Sequence, residues 1–296
     1  MQGNCVHDDG EFMTLLAQVI GHPVAQSKSP AIHNFWAGKL GLDAHYTAQG
    51  VAADGLADYL ARSRQNTDWR GCNVTMPHKQ AIIPLLDRLD PVAQAIGAVN
   101  TVVRGPDGAL SGYNTDAAGF LEPLADDLGR SHLFRMARVI GTGGAARAIV
   151  ASLMQHGMVV VLAARNPDKA RALLDELAPG ADHHVAPLGH FAQATDFAFD
   201  DREGCLDLVV NASPLGMRGQ PPLEFHFSHA PPGSIAYDIV TDPVETEFLA
   251  QARAAGFRTV DGLSMLIGQA AAAFSLFFGT EPPRQHDAEL RERLRA

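Results

Sequence analysis

Between Val139 and Ala163 a strand, a glycine turn, a helix and a second strand follow one another directly, and this stretch constrains the fold more than any other part of the chain. Val139-Ile140 ends a short apolar strand, and Gly141-Thr142-Gly143-Gly144-Ala145-Ala146 then reads G-x-G-x-x-A. Ala145 to His156 has helical character, Gly157 stops it, and Met158 to Ala163 reads as the next strand. A glycine-rich turn in that setting is the fingerprint of a dinucleotide site. Gly141 can make the tight turn. Gly143 lets a pyrophosphate approach the backbone, where the N–H groups of Gly144, Ala145 and the helix start favour an anion. Ala146 is small enough for close helix–strand packing.

The end of the second strand bears on which dinucleotide. An NAD site usually carries Asp or Glu about 20 residues after the turn, on the ribose 2′-hydroxyl. The corresponding stretch here is Ala163-Ala164-Arg165-Asn166-Pro167-Asp168-Lys169, with no acid at the strand end. Arg165 stands there instead, with Lys169 close behind. A guanidinium suits a 2′-phosphate through paired charge-assisted hydrogen bonds, which favours NADP, with NAD as the other possibility. The competing reading of Arg165 is a solvated loop charge.

At 296 residues the chain has room for two domains, on a prior of about 150 residues each. A net charge of −10 argues against nucleic acid as a partner, so an anionic ligand must be held by local groups. No apolar run reaches the ~20 residues of a membrane span. Leu263 to Phe278 comes nearest, but Ser264, Gly268, Gln269 and Ser275 interrupt it, and it reads as a buried helix. Cys5, Cys72 and Cys205 have neither metal-ligand spacing nor a disulfide pattern, which suits a reducing cytoplasm. The 13 histidines include one adjacent pair, His183-His184, and no i, i+4 pair with a nearby carboxylate, so no metal is expected. Nearly all of them are expected on the solvated surface. Met13 directly precedes the first apolar strand, and residues 1–12, polar and without a signal-peptide pattern, read as an extension or an alternative start.

The N-terminal part alternates strands (Leu15–Gly21, His45–Ala48, Cys72–Thr75) with helices (Pro30–Leu40, Ala52–Arg62, His78–Leu86). Val99–Arg104 and Leu110–Tyr113 form a hairpin around Gly105-Pro106-Asp107-Gly108. A helix over Asp116–Leu128 leads into the dinucleotide unit. Strands follow at Asp207–Asn211, Ser234–Val240 and Thr259-Val260, with helices at Thr246–Ala255 and Leu263–Phe278. Strands separated by helices imply an α/β fold with largely parallel sheets.

Outside the dinucleotide unit, polar clusters sit in strand-to-helix turns, where ligands of open α/β sheets bind. In Gln26-Ser27-Lys28-Ser29-Pro30, Ser29 is placed as N-cap, which leaves Ser27 spare; two hydroxyls at a helix start can also hold an anion. In Asn73-Val74-Thr75-Met76-Pro77-His78-Lys79, Asn73 and Thr75 share a strand face. Lys79 falls at the start of the expected helix, where the dipole disfavours a cation and tends to lower its pKa, as suits an acid/base. The alternative is a solvated lysine. Asn100-Thr101 and Asn114-Thr115-Asp116 complete the set, Asp116 fitting either an N-cap or a carboxylate that holds Lys79.

Taken together these segments resemble the shikimate/quinate dehydrogenase family. The matching stretches are Ser27-Lys28-Ser29-Pro30, Asn73-Val74-Thr75 with Pro77 and Lys79, Gly97-Ala98-Val99-Asn100-Thr101, Asn114-Thr115-Asp116, Gly141 to Arg147, Asn211-Ala212-Ser213-Pro214-Leu215-Gly216-Met217, and Asp261-Gly262-Leu263-Ser264-Met265 with Gln269. They occur in family order. The resemblance implies an α/β fold with two domains: a substrate domain with a mainly parallel sheet over residues 13–115 and 262–296, and a Rossmann-like NADP domain over 116–261, with a cleft between them. It implies reversible reduction of 3-dehydroshikimate to shikimate, a step of aromatic amino acid biosynthesis, by a cytoplasmic monomer or homodimer. On this analogy Ser27 and Ser29 bind the substrate carboxylate, Thr75, Asn100, Asp116 and Gln269 bind its hydroxyls or the carboxylate, and Asn73 is also on the substrate side. Lys79, paired with Asp116, is the acid/base. Gly141, Gly143, Gly144, Ala145, Arg165, Asn211, Ser213 and Gly262 fall on the cofactor side.

The chain departs from the family pattern at two places. Thr241 stands where many members have a substrate-contacting tyrosine, and Ala164-Arg165-Asn166 replaces the usual Asn-Arg-Thr. Both leave room for a quinate or dual quinate/shikimate dehydrogenase using NAD. A reading of another class is a catalytically silent ligand-binding protein, against which Lys79 and Asp116 argue.

Overall fold

The structure is a computed structural model that describes residues 14–196 and 204–295; Cys5, Met13 and the proposed extension lie outside them. Contacts divide the chain into two units. One holds the described residues up to Thr115 together with those from Ala270 on, and the other is Asp116–Gln269.

The first unit contains β1 (Leu15–Gly21), α1 (Ser29–Leu40), β2 (Ala44–Gly50), α2 (Leu56–Gln65), β3 (Trp69–Val74), β4 (Arg88–Leu89), α3 (Pro91–Ile96), β5 (Thr101–Arg104) and β6 (Leu110–Tyr113). They form a six-stranded sheet in the order β2-β1-β3-β5-β6-β4. β1 runs parallel to β2 and β3, while the β5–β6 hairpin joins antiparallel to β3. One face packs Ile20, Val74, Val99 and Val102 on Leu56, Tyr59 and Leu60, which lie along α2. At the β2 edge, Asn34 of α1 takes the place of a neighbouring strand. Its Nδ2 donates to Tyr46 O (2.8 Å) and its Oδ1 accepts from Tyr46 N (2.9 Å), which occupies groups that an edge strand otherwise offers to another chain.

The second unit contains α4 (Asp116–Leu121), α5 (Ala125–Leu128), β7 (Phe134–Ile140), α6 (Gly144–Gln155), β8 (Val159–Ala164), α7 (Pro167–Leu177), β9 (His184–Pro187), β10 (Cys205–Asn211), β11 (Ile235–Asp238), α8 (Glu247–Ala254), β12 (Arg258–Val260) and the first half of α9 (Gly262–Phe278). Its sheet is parallel throughout, in the order β12-β11-β10-β7-β8-β9. Numbered within the unit this is 6-5-4-1-2-3, the doubly wound Rossmann arrangement, with its switch point between β7 and β10. Residues buried on both faces (Val139, Val160, Leu162, Leu208, Val209, Val210) explain the near-continuous apolar strands. The chain ends in α10 (Asp287–Arg295).

Several local expectations are corrected. No α-helix forms over His78–Leu86; turns lead into a single 3-10 turn at Ile83–Leu85. Pro84 lies inside that segment, and a proline there removes a donor and clashes with the preceding turn. Lys79 therefore does not sit at a helix N-terminus, and the dipole argument made for it falls with the helix. The N-cap of α1 is Lys28, and Ser29 is the first helical residue with no capping side chain. The helix expected over Asp116–Leu128 breaks into α4, a 3-10 turn at Glu122–Leu124 that contains Pro123, and α5. The contact-based division falls between Gln269 and Ala270, inside α9. Met265 packs in the core of the second unit, and Ala273 and Phe277 in that of the first. Not all histidines are on the surface: His33, His78 and His229 are buried.

Within the second unit α4 lies backbone-close to α9. A Cβ on Gly119 would press on the backbone nitrogen of Gln269 and come within 2.6 Å of Met265 O. Neither neighbour is the end of a flexible side chain, so Gly119→Ala is expected to cost about 3 kcal/mol, the upper range of overpacking. Equilibrium urea unfolding measures it. An unchanged midpoint would mean that α4 shifts freely on α9.

Candidate active site

The turn after β7 is built at the switch point. Gly141 has φ of +120°, a region that L side chains rarely adopt, and a Cβ there would lie 2.6 Å from Ala212 O. Its N–H donates to Ala163 O (2.8 Å), while Ala212 N donates to Ile140 O (2.8 Å). The turns after β7 and β10 are thus drawn together. Gly143 is the N-cap of α6, with no side-chain cap, and among the described residues beyond its chain neighbours no atom lies within 4 Å of where its Cβ would be. That leaves open space in front of first-turn N–H groups, the combination a pyrophosphate needs. Ala146 is fully buried against the strands. Arg147 pairs with Glu176 of α7, and that hydrogen bond holds the Glu176 carboxyl below its usual range.

Asn211 uses its amide to shape the neighbouring turn. Its Oδ1 accepts from Ser213 N (3.1 Å) and Ser213 Oγ (2.7 Å), and its Nδ2 donates to Leu215 O (2.9 Å) and Asp238 Oδ1 (3.0 Å). Asp238 is fully buried and also accepts from Val240 N (3.0 Å) and Thr246 Oγ1 (2.7 Å). Burial pushes its carboxyl up to about 6 against those hydrogen bonds. Gly262 opens α9, where a Cβ would come within 2.7 Å of the Ile239 carbonyl. Arg165 follows β8 and is exposed. Asn166 caps α7, accepting from Asp168 N (3.0 Å) and Lys169 N (3.3 Å), so exposed Lys169 falls in the first helical turn, close to Arg165 in sequence.

In the first unit a second polar centre forms where β3 ends and β5 begins. Asn73 and Asn100 are buried, as are Thr101 and Thr115. Asn73 Nδ2 donates to Thr101 Oγ1 (2.9 Å) and Asn100 O (3.3 Å), and its Oδ1 accepts from the Tyr46 hydroxyl (2.6 Å). Asn100 Oδ1 accepts from Thr115 N (2.7 Å) and Thr101 Oγ1 (2.9 Å), while its Nδ2 donates to Thr115 Oγ1 (3.0 Å). Asn114 Nδ2 donates to Ala98 O (2.9 Å). Lys79 is half-buried, and its carbonyl accepts from Val99 N (2.8 Å), which ties its loop to the segment leading into β5. Thr75, half-buried, is fixed by its N–H on Ile20 O (2.9 Å). Ser29 is buried at the start of α1, and its N–H donates to Ser27 Oγ (3.3 Å).

Asp116 is the buried first residue of α4, and Gln269 is buried on α9, its Nε2 on Leu266 O (2.9 Å). The Gly119 contact brings these two helices together. The expected site residues therefore fall into three groups: Asn73 and Asn100, hydrogen-bonded, with Lys79, Thr75, Ser27 and Ser29 in the same unit; Asp116 and Gln269 on adjacent helices; and the glycine turn with Asn211, Ser213 and Gly262, beyond which Arg165 ends the next strand. Among the described residues no cluster of His, Cys, Asp or Glu is arranged to hold a metal, and no helix is long and apolar enough to cross a membrane.

The sequence reading missed Tyr46 and His33. Tyr46 meets Asn73 across 27 residues of chain, so no local motif marks it. Its one signal is the inward position it shares with Ala44 on β2.

Residues 19–102 match the family described as the shikimate dehydrogenase substrate binding domain, and 262–289 the shikimate 5'-dehydrogenase C-terminal domain. Residues 137–199 match a family of coenzyme F420-dependent NADP oxidoreductases. A curated relative from Sphingopyxis alaskensis, named shikimate dehydrogenase (NADP(+)), is 48% identical over 96% of this chain and 98% of its own. Among solved structures, shikimate 5-dehydrogenase from Thermus thermophilus in complex with NADP(H) and shikimate is 36% identical, with a TM-score of 0.76 over 95% of this chain and 99% of that one. Quinate dehydrogenase from Corynebacterium glutamicum in complex with NAD is 33% identical, with a TM-score of 0.78 over 94% and 98%.

Proposed function

The chain belongs to the shikimate dehydrogenase family, and from that premise we propose that it is an NADP-dependent shikimate dehydrogenase, reducing 3-dehydroshikimate reversibly to shikimate. The full-length likeness to NADP(+) shikimate dehydrogenases carries this reading. The guanidinium that follows β8, where an NAD site has an acid, supports the choice of NADP.

The turn at Gly141, Gly143, Gly144 and Ala145, with Ser213 and Gly262 beside it, fits a dinucleotide because nothing fills the space in front of Gly143. Arg165 would hold the 2′-phosphate. Bound there, the reduced nicotinamide supplies the hydride. Ser27 and Ser29 hold the substrate carboxylate, and Thr75, Asn100 and Gln269 hold its hydroxyls. Lys79, assisted by Asp116, gives a proton to the carbonyl oxygen as negative charge develops there, and its ammonium stabilises that charge beforehand. In the reverse direction the same amine takes the hydroxyl proton. Cys72 and Cys205 are both free thiols, in keeping with a cytoplasmic enzyme.

Thr241, half-buried in the turn after β11, favours a second reading as a quinate or dual dehydrogenase using NAD, because it takes the place of a substrate-contacting tyrosine of the family. Absorbance at the reduced-nicotinamide band, with shikimate and quinate crossed against NADP and NAD, decides between the two. Fast turnover confined to shikimate with NADP is the expected result; preference for quinate or NAD selects the second reading.

Arg165→Ala is expected to raise KM for NADP about 10–100-fold, the worth of charge-assisted hydrogen bonds, and to leave KM for NAD nearly unchanged. An equal effect on both cofactors would remove Arg165 from the 2′-phosphate.

A further inference from the structure

We propose that Tyr46 is a positioning residue for this reaction: its hydroxyl orients the Asn73 amide and, through it, a network of hydrogen bonds that reaches Asn100 and Thr115. The inference rests on the dehydrogenase reading of the same site.

The direction of the first links follows from how many protons each group has. Asn73 Nδ2 faces the Asn100 carbonyl (3.3 Å), which can only accept, so the Asn73 amide cannot be reversed without setting two acceptors against each other. Its Oδ1 must then face Tyr46, and the phenol is the donor at 2.6 Å. Asn73 Nδ2 also donates to Thr101 Oγ1 (2.9 Å). Thr101 Oγ1 in turn donates to Asn100 Oδ1 (2.9 Å), which also accepts from Thr115 N (2.7 Å) and Thr115 Oγ1 (3.2 Å). With its oxygen fixed, Asn100 turns its Nδ2 to Thr115 Oγ1 (3.0 Å). The links Tyr46–Asn73–Thr101–Asn100–Thr115 can each donate in the same sense, and the Thr115 hydroxyl closes back on Asn100 Oδ1 and Thr101 Oγ1 (3.2 Å each), so a change at the first link bears on the last.

Tyr46 is held as such a first link needs. Its ring stacks on His33 at 4.0 Å between centroids with an interplanar angle of 3°, and Phe277 tilts against it at 6.3 Å. The ring cannot swing away, so the hydroxyl stays on Asn73. Burial pushes the phenol well above its ordinary range, with Cys72 adding to the shift and Ser29 opposing it, so Tyr46 remains a donor at any working pH.

Tyr46→Phe keeps the ring stack and removes only the hydroxyl, which leaves Asn73 Oδ1 buried without its donor. KM for shikimate is expected to rise about tenfold, as for loss of one hydrogen bond to a buried acceptor, while KM for NADP stays within about twofold. Thr101→Val breaks the same chain two links on and is expected to show the same split; it also serves as the test should the Tyr46 variant not fold. Because both variants cut one chain, Tyr46→Phe/Thr101→Val should raise KM for shikimate no further than the worse single variant. A purely structural role would lower stability and leave this split absent. An unchanged KM for shikimate in an active protein, or multiplicative effects in the double variant, overturns the proposal alone. A wild-type protein that oxidises neither shikimate nor quinate overturns the dehydrogenase reading and this proposal with it.

Discussion

Lys79→Ala is expected to lower turnover about 10²–10⁴-fold, the usual worth of a general acid/base, with a much smaller change in substrate affinity. The backbone of Lys79 does structural work, accepting from Val99 N at 2.8 Å, and any side chain preserves that bond. The half-buried side chain can therefore be removed without undoing the loop. Lys79→Arg separates two roles. A guanidinium keeps the positive charge but does not give up its proton near neutral pH, so electrostatic stabilisation survives while proton transfer does not. If Lys79 acts as the acid, Lys79→Arg should be nearly as slow as Lys79→Ala; if it supplies charge alone, Lys79→Arg should recover much of the rate. Steady-state kinetics from pH 6 to 10 on the three proteins reads both. Near-normal turnover in Lys79→Ala would remove the residue from the chemistry and favour the ligand-binding alternative.

The dinucleotide unit was legible in the sequence because its determinants are contiguous. The glycine turn, the helix it opens and the strand end that carries Arg165 lie within 30 residues, and each is required by backbone geometry rather than by distant packing. The second polar centre was legible only in part. Asn73 and Asn100 announce themselves at strand ends, but their orientation depends on Tyr46, which pattern alone ranks as a core aromatic. Cap signals were under-read: Asp90-Pro91 and Asn166-Pro167 each place a capping side chain before a helix-starting proline, and α3 and α7 begin there. At His78–Leu86 the proline acts the other way: Pro84 lies inside the segment and no α-helix forms. In both cases the position of a single proline is the deciding local signal.

His33 was also hidden, since a histidine looks the same in any sequence whether wet or dry, and it leads to the largest expected effect on stability. It is completely buried on α1, stacked on Tyr46 and lying near Trp36, Phe274 and Phe277, and neither ring nitrogen has a hydrogen-bond partner. No charged group faces it from these neighbours, and burial alone lowers its pKa to about 3. In the unfolded chain the ring takes a proton near pH 6.5. Between these values the unfolded state binds more protons, so the stability present above pH 6.5 is lost as pH falls toward 3. The loss is about 1.4 kcal/mol per pH unit, on the order of 2 kcal/mol by pH 5 and 5 kcal/mol by pH 3. Asp238 works in the opposite sense in the second unit. Its raised pKa favours folding below the ordinary carboxylate range and loses that contribution as pH rises to about 6. The His33 effect is therefore isolated by difference. His33→Phe should match or exceed the wild type at pH 7, because two unpaired buried nitrogens are gone, and its urea midpoint should fall less steeply from pH 6.5 to 4. Parallel curves for the two proteins would show that His33 finds a proton or a partner in the folded state.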